Sequence, residues 1–233
     1  MNIAVISDIH GNAEALQSTL EMLVQHEVGA VYCLGDVVGY GASPNECVDL
    51  LRARNVRTIA GNHDKAVLGE IPVEDFSVVA QEAVRWTQGV ITGPTREFLA
   101  SLPMSFIAHQ AQFVHSSPDT PEAFRYLLSI GHALESFPAM TEHLCFVGHT
   151  HRPAVFCEDG STGTVSGTVR SIINVGSVGQ PRDGDPRSCC VLFDTEKRTV
   201  RYLRTEYDVA AAQRRILEAG LPPKLAVRLE SGI

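Results

Sequence analysis

The residues of this chain best suited to chemistry come in five short clusters, each closing an apolar run. Asp8 and His10 follow IAVIS, Asp36 follows AVYCLG, and Asn62, His63 and Asp64 follow VRTIAG. His115 follows AQFV, and His149 and His151 follow LCFVG. Gathered in one place, these ends offer the carboxylates of Asp8 and Asp36, the amide of Asn62 and up to five imidazoles. That set exceeds what one metal ion can use and suits two ions sharing a bridging carboxylate. Oxygen and nitrogen donors with no thiolate favour Mn, Fe, Zn, Co or Ni over calcium. Asp8 and His10 stand two residues apart, as do His149 and His151; in an extended strand end that spacing turns both side chains to one side. Singly, each cluster is weak, because a lone DxH pair is common and GD or GN after a strand is most often a turn. Their joint order and common placement carry the argument.

Strand ends matter because open α/β sheets place their chemistry outside the carboxyl ends of the strands. Asn12 as N-cap, with Ala15, Leu16, Leu20, Leu23 and Val24 at helical spacing, predicts a helix from Asn12 to His26. After the loop GDVVGYGASP a second helix is expected near Asn45 to Arg54, then a strand over Arg57 to Ala60. A helical block from Val73 to Ser101 follows, broken at Gly93–Pro94. Short strands near 104–107 and 111–114 predict a hairpin through His109–Gln110. Runs at 144–147, 153–157, 171–175, 188–194 and 198–204 suggest further antiparallel pairing, with 158–168 a polar loop or hairpin tip. Two helices are expected in the tail from Asp208. Two sheets with helices outside suit this rhythm better than one doubly wound sheet. One domain over residues 1–233 is expected, with a core of about 1–205 and a helical tail of about 206–233.

The 44% hydrophobic and 20% charged fractions are those of an ordinary globular chain. The first apolar run has no basic region before it and breaks at Asp8, which does not suit a signal peptide. No segment has the length of a membrane span, so the expected location is cytoplasmic. A net charge of −8 without a basic stripe argues against a general nucleic-acid or membrane-surface role. A metal pair would still attract an anionic substrate locally. The six cysteines show no CxxC spacing, and Cys33, Cys145 and Cys157 read as small buried hydrophobes. His26, His109, His132 and His143 lie outside the clusters and receive no role.

The ordered set DIH, GD, GNHD, H and GHTH resembles the calcineurin-like metallophosphoesterases over about residues 3–180. The resemblance implies an α/β fold: a four-layer α-β-β-α sandwich of two mixed sheets flanked by helices, with a dinuclear site at one edge. It implies two divalent transition-metal ions, manganese foremost, with Asp8, His10 and His151 on one, Asn62, His115 and His149 on the other, and Asp36 between them. His63 would stand beside them as the acid for the leaving group, and Asp64 would orient it. A hydroxide held between the ions would attack phosphorus in line, and His63 would protonate the departing alkoxide.

Departures from the family narrow the substrate. Phosphoprotein phosphatases of the superfamily carry GDxVDRG and RGNHE; here Gly39 and Tyr40 stand in the first motif where Asp and Arg would, and Ala60 precedes GNHD. The chain is more similar to the small bacterial phosphodiesterases. INVGSVGQPRDGDPRS at 173–188 resembles their NPGS loop with Val175 in place of proline, and HSSP carries Ser116 where glycine is more usual. Arg182 on that loop is the expected substrate-binding residue, since a guanidinium matches phosphate in two places. The expected function is hydrolysis of small phosphodiesters, nucleotidic ones included. The alternatives are a phosphomonoesterase or dinucleoside polyphosphate hydrolase and, less favoured because every ligand position is filled, a non-catalytic binding scaffold.

Overall fold

The computed structural model describes residues 1–165 and 168–233. Strands β1 (Asn2–Ile6), β2 (Ala30–Cys33) and β3 (Arg57–Thr58) run parallel, with α1 (Ala13–Val24) and α2 (Pro44–Ala53) as their crossovers. Then come three helices, α3 (Asn62–Leu68), α4 (Val78–Val90) and α5 (Gly93–Ala100). The second half of the chain holds β4 (Ser105–Ala108), β5 (Ala111–Val114), α6 (Ile130–Ser136), β6 (Leu144–Val147), β7 (Ala154–Cys157) and β8 (Ser171–Asn174). Strands β9 (Ser188–Asp194) and β10 (Thr199–Thr205) return to the first sheet before the tail helices α7 (Val209–Glu218) and α8 (Pro223–Ser231). The sheet orders are β10-β9-β1-β2-β3 and β4-β5-β6-β8-β7.

Strand periodicity builds the layers. Ile3 and Val5 of β1 point between the sheets, where they join Leu34, Ile59, Phe113, Phe146, Ile173 and Phe193. Ala4 and Ile6 point the other way and pack under Leu16, Leu20, Leu51, Val84 and Leu99 of the helices. On the far face of the second sheet Val114, Cys145, Val147 and Ile172 meet Leu127, Ala133 and Phe137. With both faces of each sheet covered, the interior strands β1, β6, β8 and β9 are buried almost throughout and read as largely apolar runs, while the edge strands β4 and β10 keep polar, partly exposed residues. The expected two-sheet α/β sandwich is the observed architecture.

Several elements differ from expectation. Residues 144–147 pair in parallel with both neighbours, because β6 lies inside the second sheet; antiparallel pairing holds for β4–β5, β7–β8, β9–β10 and β1–β9. The strand expected to reach Ala60 stops at Thr58, and GNHD opens a helix instead of ending a strand. The helical break falls at Ile91–Thr92, with Pro94 in the first turn of α5, where its missing N–H costs nothing. Asn12 caps α1 as expected, accepting from the Ala15 N–H at 3.1 Å. His109 and Gln110 turn the β4–β5 hairpin with φ of 50° and 55°. All six cysteines are buried and free. Of the polar stretch 158–168, positions 166 and 167 lie outside the described residues. The tail helices pack through Ala212, Ile216, Leu225 and Leu229 against Tyr40, Ala80 and Ala83, and Arg215 pairs with Glu14 and Glu46, each at 2.6 Å.

Candidate metal centre

The parallel strands deliver their clusters to one edge of the sandwich. Asp8 and His10 follow β1, Asp36 follows β2, His115 follows β5, and His149 and His151 follow β6. Asn62, His63 and Asp64 form the first turn of α3. All are buried, Asn62 being the most exposed at 7%. The paired ligand candidates converge as expected but not by strand alternation. Asp8, His10, Asp36, His149 and His151 sit in the left-handed region with φ of 54°, 51°, 50°, 65° and 59°. Such backbone costs on the order of 1–3 kcal/mol per residue and survives only where the surroundings hold it. Here the Asp8 N–H donates to Gly35 O at 3.0 Å, the His10 N–H to Asp36 O at 2.9 Å and the His149 N–H to Asp8 Oδ2 at 2.9 Å. Gly148 admits that last contact, since a Cβ there would collide with Ser7 Oγ and Asp8 Oδ2.

The hydrogen bonds of the imidazoles define which nitrogens are lone pairs. His10 Nδ1 faces Val38 O at 3.1 Å, His115 Nδ1 faces Leu34 O at 2.8 Å, His151 Nδ1 faces Gln180 O at 2.6 Å and His149 Nε2 faces Phe124 O at 2.8 Å. A carbonyl can only accept, so each ring donates outward and the neutral ring turns a lone pair inward. Those inner nitrogens face one another: His10 Nε2 lies 3.1 Å from His151 Nε2, and His115 Nε2 lies 3.2 Å from His149 Nδ1. Asp8 Oδ1 stands 3.4 Å from His151 Nε2, while Asp36 Oδ2 is 3.5 Å from His10 Nε2 and 3.4 Å from His115 Nε2. Among the described residues, Asp8 Oδ1 and Asn62 Oδ1 are buried with no hydrogen-bond partner. Lone pair against lone pair in a buried site repels unless a cation lies between, so the donors fit divalent metal ions. They fall into three overlapping groups, Asp8–His10–His151, His10–Asp36–His63 and Asp36–His115–His149, each with its donor atoms within 4.8 Å of one another, and Asp36 is common to the last two.

The charges agree. Burial pushes Asp8 up to about 6 and lowers His149 to about 3. Against burial, the Asp36 carboxylate lifts His115 to about 9. Asp36 is itself held well below the carboxylate range by His115 and His63, which outweigh its burial.

His63 reaches the same group from α3, its ring 4.8 Å from that of His10 and 4.5 Å from that of Tyr40. Its main-chain N–H donates to Asp36 Oδ1 at 2.8 Å. Its Nδ1 is buried without a partner among the described residues, and Gly39 (φ 87°) lies against it: a Cβ there would stand 2.5 Å from Nδ1. A side chain at this position would collide with the ring as it stands, so this loop leaves His63 Nδ1 without support. Asp64 does not fill the gap, which corrects the expectation that it orients His63. Its Oδ1 accepts from the N–H groups of Val37 and Val38 at 2.9 and 3.2 Å, and its Oδ2 from that of Gly61 at 2.9 Å. Asp64 thus fastens the loop that carries Asp36.

Above this floor opens a cavity of about 620 Å³ lined by Tyr40, Asn62, His63, Phe76, Phe124, Tyr126, His149, Arg182 and Arg228, among others. Arg182 is among the lining residues. The aromatic wall and Arg228 were not foreseen. Tyr126 stacks on His149 with ring centroids 3.9 Å apart. Asn174 also escaped notice, although it lies in the INVGS motif; its Nδ2 donates to Gly148 O at 2.6 Å and Thr150 Oγ1 at 2.9 Å, fixing the loop between the two histidines.

Comparison with known proteins agrees with this geometry. The sequence profile of the calcineurin-like phosphoesterase superfamily domain matches residues 1–198. The chain is 38% identical to the uncharacterized protein MJ0912 of Methanocaldococcus jannaschii, over 99% of this chain and 98% of that one. It is similar to the crystal structure of a metallophosphoesterase from Sphaerobacter thermophilus, with 38% identity, a TM-score of 0.89 and coverage of 100% and 99% of the two chains. The hypothetical protein PH1004 from Pyrococcus horikoshii OT3 shares the fold at 20% identity, with a TM-score of 0.85 over 100% and 98% of the chains. The chain belongs to the calcineurin-like phosphoesterase superfamily, the metal-dependent hydrolases of phosphoester bonds.

Proposed function

We propose that this protein is a phosphodiesterase acting on small phosphodiesters, nucleotide-like ones included, with two divalent cations of which manganese is the foremost candidate. One observation carries the reading: two facing groups of inward lone pairs meet at Asp36 Oδ2, 3.5 Å from His10 Nε2 and 3.4 Å from His115 Nε2. Asp8, His10 and His151 would hold one ion, Asn62, His115 and His149 the other, with Asp36 shared. When bound, the ions supply Lewis acidity, lowering the pKa of a coordinated water and offsetting phosphoryl charge.

The side chains do the rest. Arg182 binds a substrate phosphate, where a guanidinium can present two parallel N–H groups. His63 holds a proton for the leaving group. Burial, opposed by Asp36, lowers it to about 4, and a bound phosphate anion would favour its protonated form. The walls at Tyr40, Phe76, Phe124 and Tyr126 offer aromatic surface to organic groups of a substrate, and the cavity of about 620 Å³ would accommodate one on each side of a phosphate. A monoester would fill one side only. Residues 1–233 acting as one unit in the cytoplasm complete the reading.

The test is turnover of bis(p-nitrophenyl) phosphate, p-nitrophenyl phosphate and a dinucleoside tetraphosphate with added Mn²⁺. The diester is expected to lead by at least about tenfold in kcat/KM, roughly 1.4 kcal/mol of barrier. A leading monoester or tetraphosphate would overturn the diester reading.

A further inference from the structure

The cleft contains two guanidiniums without counter-charge. Arg182 Nη2 and Arg228 Nη1 donate to the same neutral oxygen, Gln180 Oε1, at 3.1 and 3.2 Å. Other partly buried arginines have carboxylate partners: Arg204 has Asp183 and Arg170 has Glu158. Among the described residues Arg182 and Arg228 form no ion pair, although Asp75 and Glu122 line the same cavity. Arg228 Nε is buried with no hydrogen-bond partner among the described residues. Burial and the neighbouring Arg182 both lower the pKa of Arg228, the mark of a cation held where it lacks compensation. Two like charges converging on one amide are costly in the empty protein and become favourable when an anion joins them.

The pair is also fixed relative to the metal edge. Gln180 is 2% exposed, and its main-chain oxygen accepts from His151 Nδ1 at 2.6 Å. Tyr40 stands between, its ring 4.6 Å from that of His10 and 4.5 Å from that of His63. Arg182 Cζ and Arg228 Cζ lie 5.8 and 5.9 Å from the same ring. Two sites one aromatic ring apart can engage two charged groups of one small molecule.

We propose that Arg182 and Arg228 form a second phosphate subsite, and that the preferred substrate carries a further phosphate beyond the one at the metals. The inference rests on the phosphodiesterase reading and names the substrate class within it.

Calorimetry on the Mn²⁺-loaded protein tests it with adenosine 5′-phosphate and adenosine 3′,5′-bisphosphate, neither of which contains a diester. The second phosphate is expected to tighten binding on the order of ten- to a hundredfold, the worth of hydrogen bonds to a charged group. Arg228→Gln should remove most of that gain, and Arg228→Lys should keep part of it, since the charge stays and the planar fork is lost. Thermal melting verifies that each variant is folded, and Arg182→Gln serves as the second variant. Equal affinities in the unmodified protein, or a gain that survives both glutamine variants, would overturn the subsite. Failure to turn over bis(p-nitrophenyl) phosphate would instead strike the functional reading, while the binding difference reports on the arginines alone.

Discussion

At the floor of the cleft Asp8, His10, Asp36, His115 and His151 are at most 2% exposed, and backbone carbonyls or amides hold each of them. At the roof Tyr126 is 50% exposed, and two arginines lean on a single glutamine. The floor is made of strand ends, whose direction the two sheets dictate. The roof is assembled from three unconnected places: the stretch before α6, the loop after β8, and α8. This difference separates two kinds of work. A floor of fixed, converging lone pairs sets which reaction is possible. A roof of half-exposed aromatic and cationic side chains sets which molecule is held for it.

Substitutions at the two levels should therefore fail in different ways. Asp36→Ala removes the oxygen that both groups share; metal content should fall, and activity should drop roughly a thousandfold, the equivalent of several kcal/mol of transition-state stabilisation. Metal analysis beside kcat decides it, and a variant keeping both ions and full turnover would break the comparison. His63→Ala should leave metal content intact and cost roughly a hundredfold with an alkyl leaving group but only a few-fold with p-nitrophenolate, which needs no acid. Equal losses on both esters would remove His63 from that role. Arg182→Gln should raise KM for a nucleotide diester about tenfold with kcat little changed, as expected for a lost charge-assisted contact. A fall in kcat alone would move Arg182 from the roof to the floor. Tyr126→Ala should have the smallest effect, roughly two- to fivefold in KM, because a stacking contact at a half-exposed position is worth about 0.5–1 kcal/mol, the low end for an aromatic pair.

Legibility follows the same division. The floor can be read from the chain because each cluster ends an apolar run, and parallel strands bring such ends together. What the runs could not convey is the left-handed backbone of Asp8, His10, Asp36, His149 and His151, which depends on hydrogen bonds from other loops. Nor could periodicity choose partners for LCFV at 144–147, although its burial on both faces is the mark of a parallel interior strand. Asp64 was misread because adjacency to His63 suggests contact, whereas the first turn of α3 directs its oxygens to three backbone N–H groups. Arg228 left no local signal. It lies on an amphipathic helix whose pattern announces only a helix, and its partner Gln180 is 48 residues away in sequence.

The central claim is that the buried lone pairs of the floor form one dinuclear centre joined by Asp36. Titration of the metal-free protein with Mn²⁺, followed by calorimetry and by electron paramagnetic resonance on the same samples, addresses it directly. The account predicts two ions per chain in the unmodified protein with the spectrum of an exchange-coupled pair. One ion per chain, or two ions with independent, uncoupled spectra, would contradict it.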